Sequence, residues 1–154
     1  MPILIRILLI AALAVPFIVG NSVARAELAE NAIGQIKTLV SGASIRRGDG
    51  SVDAELGGPV FEGDVLSTDS DGTVGVTFID GTVLSLGPTS EIQIDAFIFE
   101  PQEKNLGFTA KFLSGTATYL SGRIAKLAPD KVNLSTPFST IGIRGTRLLI
   151  KVGD

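Results

Sequence analysis

The run TVGVTFIDGTVLSLGPTSEIQIDAFI at 73–98 constrains the fold of this chain more than any other stretch. Val74, Val76 and Phe78 alternate with Gly75 and Thr77, the period of two that sends successive side chains to opposite faces of a sheet. Asp80-Gly81 then reverses the chain, because glycine accepts positive φ without a steric penalty and a two-residue Asp-Gly loop between apolar runs is a strong hairpin signal. A second strand follows in Val83, Leu84 and Leu86, then a turn at Gly87-Pro88-Thr89-Ser90. A third has Ile92 and Ile94 inward and Gln93 and Asp95 outward. The pattern predicts a β-meander with one buried face.

Glycine turns recur about every eight to ten residues along the rest of the chain, with no sustained period of 3.6, so an all-β fold is expected. Ile33, Ile36, Leu39 and Val40 predict an edge strand, and Gly48-Asp49-Gly50 a turn. Glu62-Gly63-Asp64 predicts another turn, with the Asp64 carboxylate accepting a local backbone N–H. The polar stretch 100–105 predicts an exposed loop, Ser114-Gly115 a reversal between two strands, and 121–131 a loop or single helical turn ended by Pro129. Asp69-Ser70-Asp71-Gly72 begins like a calcium loop, but no bidentate Glu stands at the twelfth position and nothing helical flanks it. A plain β-turn is expected there.

Residues 1–26 read as a secretory signal peptide: one early positive charge, an apolar run at 7–19, and Ala24-Arg25-Ala26 supplying small residues where a signal peptidase cuts. The run is short of the roughly 20 residues that span a bilayer, and Pro16 interrupts it. Cleavage after Ala26 leaves residues 27–154 as one domain in the periplasm or outside the cell; the alternative is an uncleaved segment acting as a membrane anchor. A chain of this length buries around two-thirds of its unfolded surface without help. With no cysteine, no disulfide supports it and no lipid can be attached through a thiol.

Charge is unevenly spread. Residues 48–103 carry twelve acids and no Lys or Arg, whereas 104–154 carry eight basic residues against Asp130 and Asp154. On separate faces these would form a dipolar surface able to orient a protein partner; otherwise they are solvated turns and outward strand positions. The basic third lacks an aromatic-interleaved cluster, which disfavours nucleic acid. With no histidine and no cysteine, a Ser-His-Asp triad, a thiol nucleophile and a zinc site are all excluded. Two carboxylates about 5–10 Å apart would suffice for a glycosidase, but the acids fall at turns, and one tyrosine without tryptophan is a poor platform for sugar. No catalytic, cofactor or metal site is expected.

Four ordered stretches carry a family resemblance: VSGASIRRGDG at 40–50, GGPVFEGDVLSTDSDG at 57–72, FIDGTVLSLGPTSEIQIDAFIF at 78–99 and VNLSTPFSTIGIRGTRLLIKV at 132–152. Together they resemble FecR-type domains, extracytoplasmic β-rich modules, over nearly the whole chain after residue 30. The resemblance implies an all-β domain that is β-solenoid-like or sandwich-like, with a leaning toward the solenoid. It also implies sensing of a loaded outer-membrane receptor and relay toward a sigma-factor regulator. Here the hydrophobic segment begins at residue 3 and the chain stops two residues after Val152, so a stand-alone exported member is expected. It would bind an envelope protein, a receptor or membrane regulator; the alternative is a structural or glycan-binding surface module. Arg144, between Gly142 and Gly145, is either a strut satisfying carbonyls at a glycine corner or an anion or partner contact.

Overall fold

The computed structural model describes residues 31–143 and 147–153; the expected signal peptide at 1–26 and Arg144 lie outside the described residues. The strands are β1 (Gly34–Val40), β2 (Ala43–Arg47), β3 (Gly50–Asp53), β4 (Pro59–Val60), β5 (Val65–Thr68), β6 (Thr73–Phe78), β7 (Val83–Leu86), β8 (Glu91–Glu100), β9 (Asn105–Leu120), β10 (Val132–Ser135), β11 (Thr140–Ile141) and β12 (Arg147–Val152). A five-residue helix, α1 (Arg123–Leu127), and 3-10 turns at Pro101–Glu103 and Pro129–Lys131 complete the elements. The expected all-β fold is found. None of the described helices is long and apolar enough to cross a membrane.

The strands form one curled sheet whose two halves share β9. Half A runs β4-β1-β6-β7-β9-β12 and half B runs β3-β2-β5-β8-β9-β10-β11. Every pairing is antiparallel except β9 with β10. That antiparallel pattern fits the sandwich-like alternative, two facing layers closed over a common core, rather than turns of a parallel coil. Alternation places Ile36, Val76, Leu84 and Tyr119 of half A opposite Leu66, Ile92, Phe108 and Phe112 of half B, each at most 2% exposed. Phe108 lies at the centre, with ring centroids 5.2 Å from Phe78, 5.8 Å from Phe97 and 6.0 Å from Tyr119. Each such fully buried side chain contributes on the order of 1.5–3 kcal/mol, which a domain without disulfides needs.

The expected meander is only half formed. β6 and β7 make the predicted hairpin, but β7 then pairs with β9, while β8 crosses to half B and lies between β5 and β9. The Gly87–Ser90 turn is therefore a corner between layers. The hairpin loop holds three residues rather than two: Phe78 N–H donates to Thr82 O and Gly81 N–H to Phe78 O, with Gly81 at φ +83°, a type I turn with a glycine bulge. The expected edge strand β1 is covered only at its start, where β4 pairs with Gly34 and Gln35. Ser114-Gly115 does not reverse the chain. β9 runs straight through for 16 residues, pairing with β8 and β10 before Gly115 and with β7 and β12 from there onward. The polar 100–105 stretch is a compact turn closing the β8–β9 hairpin, and 121–131 holds the single helical turn expected.

Candidate interaction surface

Buried polar corners fix the relative positions of the strands, and each is built by residues the sequence places at turns. At the corner between β4 and β5, Asp64 is fully buried and its Oδ2 accepts from Phe61 N–H at 2.9 Å, the local contact expected of it. Its larger partner is Arg47, whose Nε and Nη2 donate to the two carboxylate oxygens at 2.7 Å each while the guanidinium lies 4.3 Å from the Phe61 ring centroid. Hydrogen bonding to Asp64 raises the guanidinium's already high pKa, against the opposing effect of burial. Glu62 beside it accepts from Phe97 N–H at 2.9 Å, tying the corner to β8. Charged side chains here are fasteners.

The Asp69–Gly72 segment is the β-turn expected, closed by Gly72 N–H donating to Asp69 O. The Gly87–Ser90 corner is held by two hydroxyls. Thr68 Oγ1 accepts from Ser90 N–H at 2.9 Å and donates to Gly87 O at 2.6 Å, while Ser90 Oγ accepts from Thr116 N–H at 2.8 Å. These bonds bring the corner against Gly115, where β9 changes layers.

Asp80, 1% exposed, makes the third corner. Its carboxylate accepts from Thr82 N–H, Thr82 Oγ1 and Ile124 N–H at 2.9, 2.8 and 3.1 Å, so the hairpin loop anchors the first turn of α1. Asp64 and Asp80 thus correct the reading of the acids as solvated turns: both are buried, because each has enough donors to replace water.

Tyr119 lies beside this corner. Burial pushes its phenol above the ordinary value, a hydrogen bond with Thr82 pulls it back, and the Asp80 charge raises it further. An acid whose folded pKa is raised stabilises the fold fully below the unfolded value of about 10 and loses that contribution as pH rises toward the folded value. Thermal unfolding between pH 9 and 11 should therefore show a loss of stability that is smaller in Tyr119→Phe. Absorbance at 295 nm follows the titration without ambiguity, since the chain has one tyrosine. Equal losses in both proteins would refute the assignment.

The two outer faces differ in chemistry. That of half B is charged and neutralises itself, with Arg46 to Glu91 at 3.4 Å, Lys111 to Asp95 at 3.2 Å and Gln93 donating to Asp95 at 2.7 Å. On half A, β1, β6, β7, β12 and the 115–120 portion of β9 contain no Asp or Glu. Register aligns Thr38, Gly75, Ser85, Thr118 and Leu149 in one outward row across five strands, flanked by Thr77, Val83, Leu120 and Arg147. A shallow cavity of about 480 Å³ opens there, lined by Thr73, Ser85, Gly87, Thr116, Thr118 and Leu149 among others. Leu149 is 74% exposed. Such a face, rich in hydroxyls, apolar at one side and free of carboxylates, is suited to contact another macromolecule.

Sequence reasoning did not find Arg47, Asp80 or this face. The RLLIKV alternation at 147–152 was the available signal for its outward residues. The expected charge polarity does not follow the strand order: β12 carries Arg147 and Lys151, but β2 at the other end of the sheet carries Arg46 and Arg47 against the single Asp53 of β3.

The family model described as FecR protein matches residues 64–154, more than half of the chain. The match begins at Asp64, without its partners Arg47 and Phe61, and takes in the Asp80 hairpin, the Gly87–Ser90 corner and all of β9 to β12. No curated protein and no solved structure matches the chain.

Proposed function

Because this chain belongs to the FecR protein family, we propose that it is a non-enzymatic signalling or sensing module that is exported and docks on another envelope protein. In this reading residues 1–26 are removed after Ala26, and residues 27–154 work in the periplasm or at the cell surface without nucleic acid or cofactor. The partner is a receptor or a membrane-bound regulator. The observation that carries the proposal is the contrast between the faces. Arg46, Glu91, Asp95 and Lys111 of half B form internal pairs, whereas half A offers hydroxyl and apolar groups, with Arg147 and Lys151 of β12 in no ion pair among the described residues. Electrostatic steering onto such a face favours a partner with acidic groups.

A glycan-binding role is the second reading, favoured by the hydroxyls of Thr38, Thr73, Thr77, Ser85, Thr116 and Thr118 on that face. A photo-crosslinking residue placed in turn at Thr118 on half A and Gln93 on half B of the natively expressed chain separates them. A protein adduct from Thr118, identified by mass spectrometry as an envelope protein and absent from Gln93, is the expected result. Adducts from Gln93 alone, or polysaccharide alone, would overturn it.

A further inference from the structure

β12 is the long open edge of half A. Among the described residues it pairs only with β9, over all six of its residues, and it has neither proline nor bulge. The edges at β4 and β11 are two residues long and that at β3 four, all shorter than the six of β12. An edge of this kind is a template for another strand, with main-chain hydrogen bonds supplying affinity and alternate side chains supplying selectivity. Its outward side chains are Arg147, Leu149 and Lys151, at alternate positions. No carboxylate among the described residues lies within ion-pair distance of either cation.

Beyond the Lys151 end, a second cavity of about 460 Å³ is lined by Thr136, Phe138, Lys151, Val152 and Gly153. Phe138, at the tip of the turn between β10 and β11, is 87% exposed. An apolar anchor therefore stands where a strand laid along β12 would run off its end. Pairing with a second copy is opposed by charge: antiparallel register about Leu149 would set Arg147 opposite the other copy's Lys151, and like charges directly opposite destabilise a sheet.

We infer that β12 accepts an extended acidic strand from a protein partner, with carboxylates two residues either side of an apolar residue facing Leu149 and an apolar residue reaching Phe138. This deepens the docking role proposed above and rests on it. The probe is a labelled, end-blocked peptide Thr-Glu-Thr-Val-Thr-Glu-Thr-Leu, titrated against the full exported chain by fluorescence anisotropy. Two control peptides carry Lys for both Glu, or Pro for Val.

Both controls should bind at least about tenfold more weakly, one through charge and the other through loss of the main-chain ladder. The double variant Arg147→Glu/Lys151→Glu, altered only at exposed positions, should reverse the preference and take the Lys peptide. Phe138→Ser should weaken the acidic peptide, and amide exchange should slow within 147–152 on binding. Equal binding of the Glu and Lys peptides, undiminished binding of the Pro peptide, or protection elsewhere would each overturn the inference. So would competition by an anionic polysaccharide without slowed exchange in β12. Failure here together with a Thr118 adduct would leave face docking standing and remove only the strand-addition mode.

Discussion

Gly115→Ala is expected to lower stability by about 3 kcal/mol or more, enough to unfold much of the population of a marginally stable domain. Two costs add at this position. Gly115 sits at φ +79°, where an L side chain loses about 1–2 kcal/mol. A Cβ there would also stand 2.4 Å from Thr89 O and 2.6 Å from Ser90 Cα, both main-chain atoms that cannot rotate away. Relief requires moving the Gly87–Ser90 corner, which carries the chain from β7 to β8, or bending β9 where it is shared by both layers. Gly81→Ala is the matched control: its φ is +83° but no heavy atom lies within 4 Å of the added methyl, so only the conformational cost of about 1 kcal/mol should appear. Denaturant unfolding of the two variants checks this. Equal midpoints would show that the close approach at Gly115 is not a constraint.

Arg47→Ala is expected to cost about 2–3 kcal/mol, toward the lower end for breaking a buried pair because 41% of the arginine side chain reaches solvent. The loss arises from Asp64, which has no exposure and would keep one side-chain hydrogen bond, from Phe61 N–H, in place of three. Arg47→Lys should restore little, since an ammonium cannot offer two parallel donors to the carboxylate or stack on Phe61. Asp64→Ala should cost less than Arg47→Ala, because the freed guanidinium can turn to water. Urea denaturation of the three variants gives the order directly. An Arg47→Ala change within about 0.5 kcal/mol of the parent would mean that the pair is a surface ion pair in energetic terms.

Much of this fold was legible in the sequence because its information is local. The Val74-Val76-Phe78 alternation and Asp80-Gly81 specify a hairpin with one buried face, and Gly48-Asp49 specifies the β2–β3 reversal. Long-range pairing was not legible. Whether Gly87–Ser90 continues a meander or turns into another layer depends on Thr68 and Thr116, 22 and 26 residues from Ser90. Ser114-Gly115 resembles a turn because glycine at positive φ serves both in reversals and in bends of a continuous strand. Aspartate at a turn is usually solvated, and only donors brought from elsewhere, Arg47 for Asp64 and the start of α1 for Asp80, reveal the buried ones. The open edge of β12 is a property of the assembled sheet. Its alternating Arg147, Leu149 and Lys151 are readable, but that no second strand pairs with them among the described residues is not.

The decisive measurement is the yield of the Thr118 photo-adduct as ionic strength is raised from about 0.05 M through 0.15 M to 0.5 M, with the partner identified by mass spectrometry at each step. Docking by a polarised face should give an adduct with a single envelope protein whose yield falls steeply across that range as screening shortens. A yield that stays level, or an adduct that is only polysaccharide, would contradict the account and leave a hydroxyl-lined glycan surface in its place.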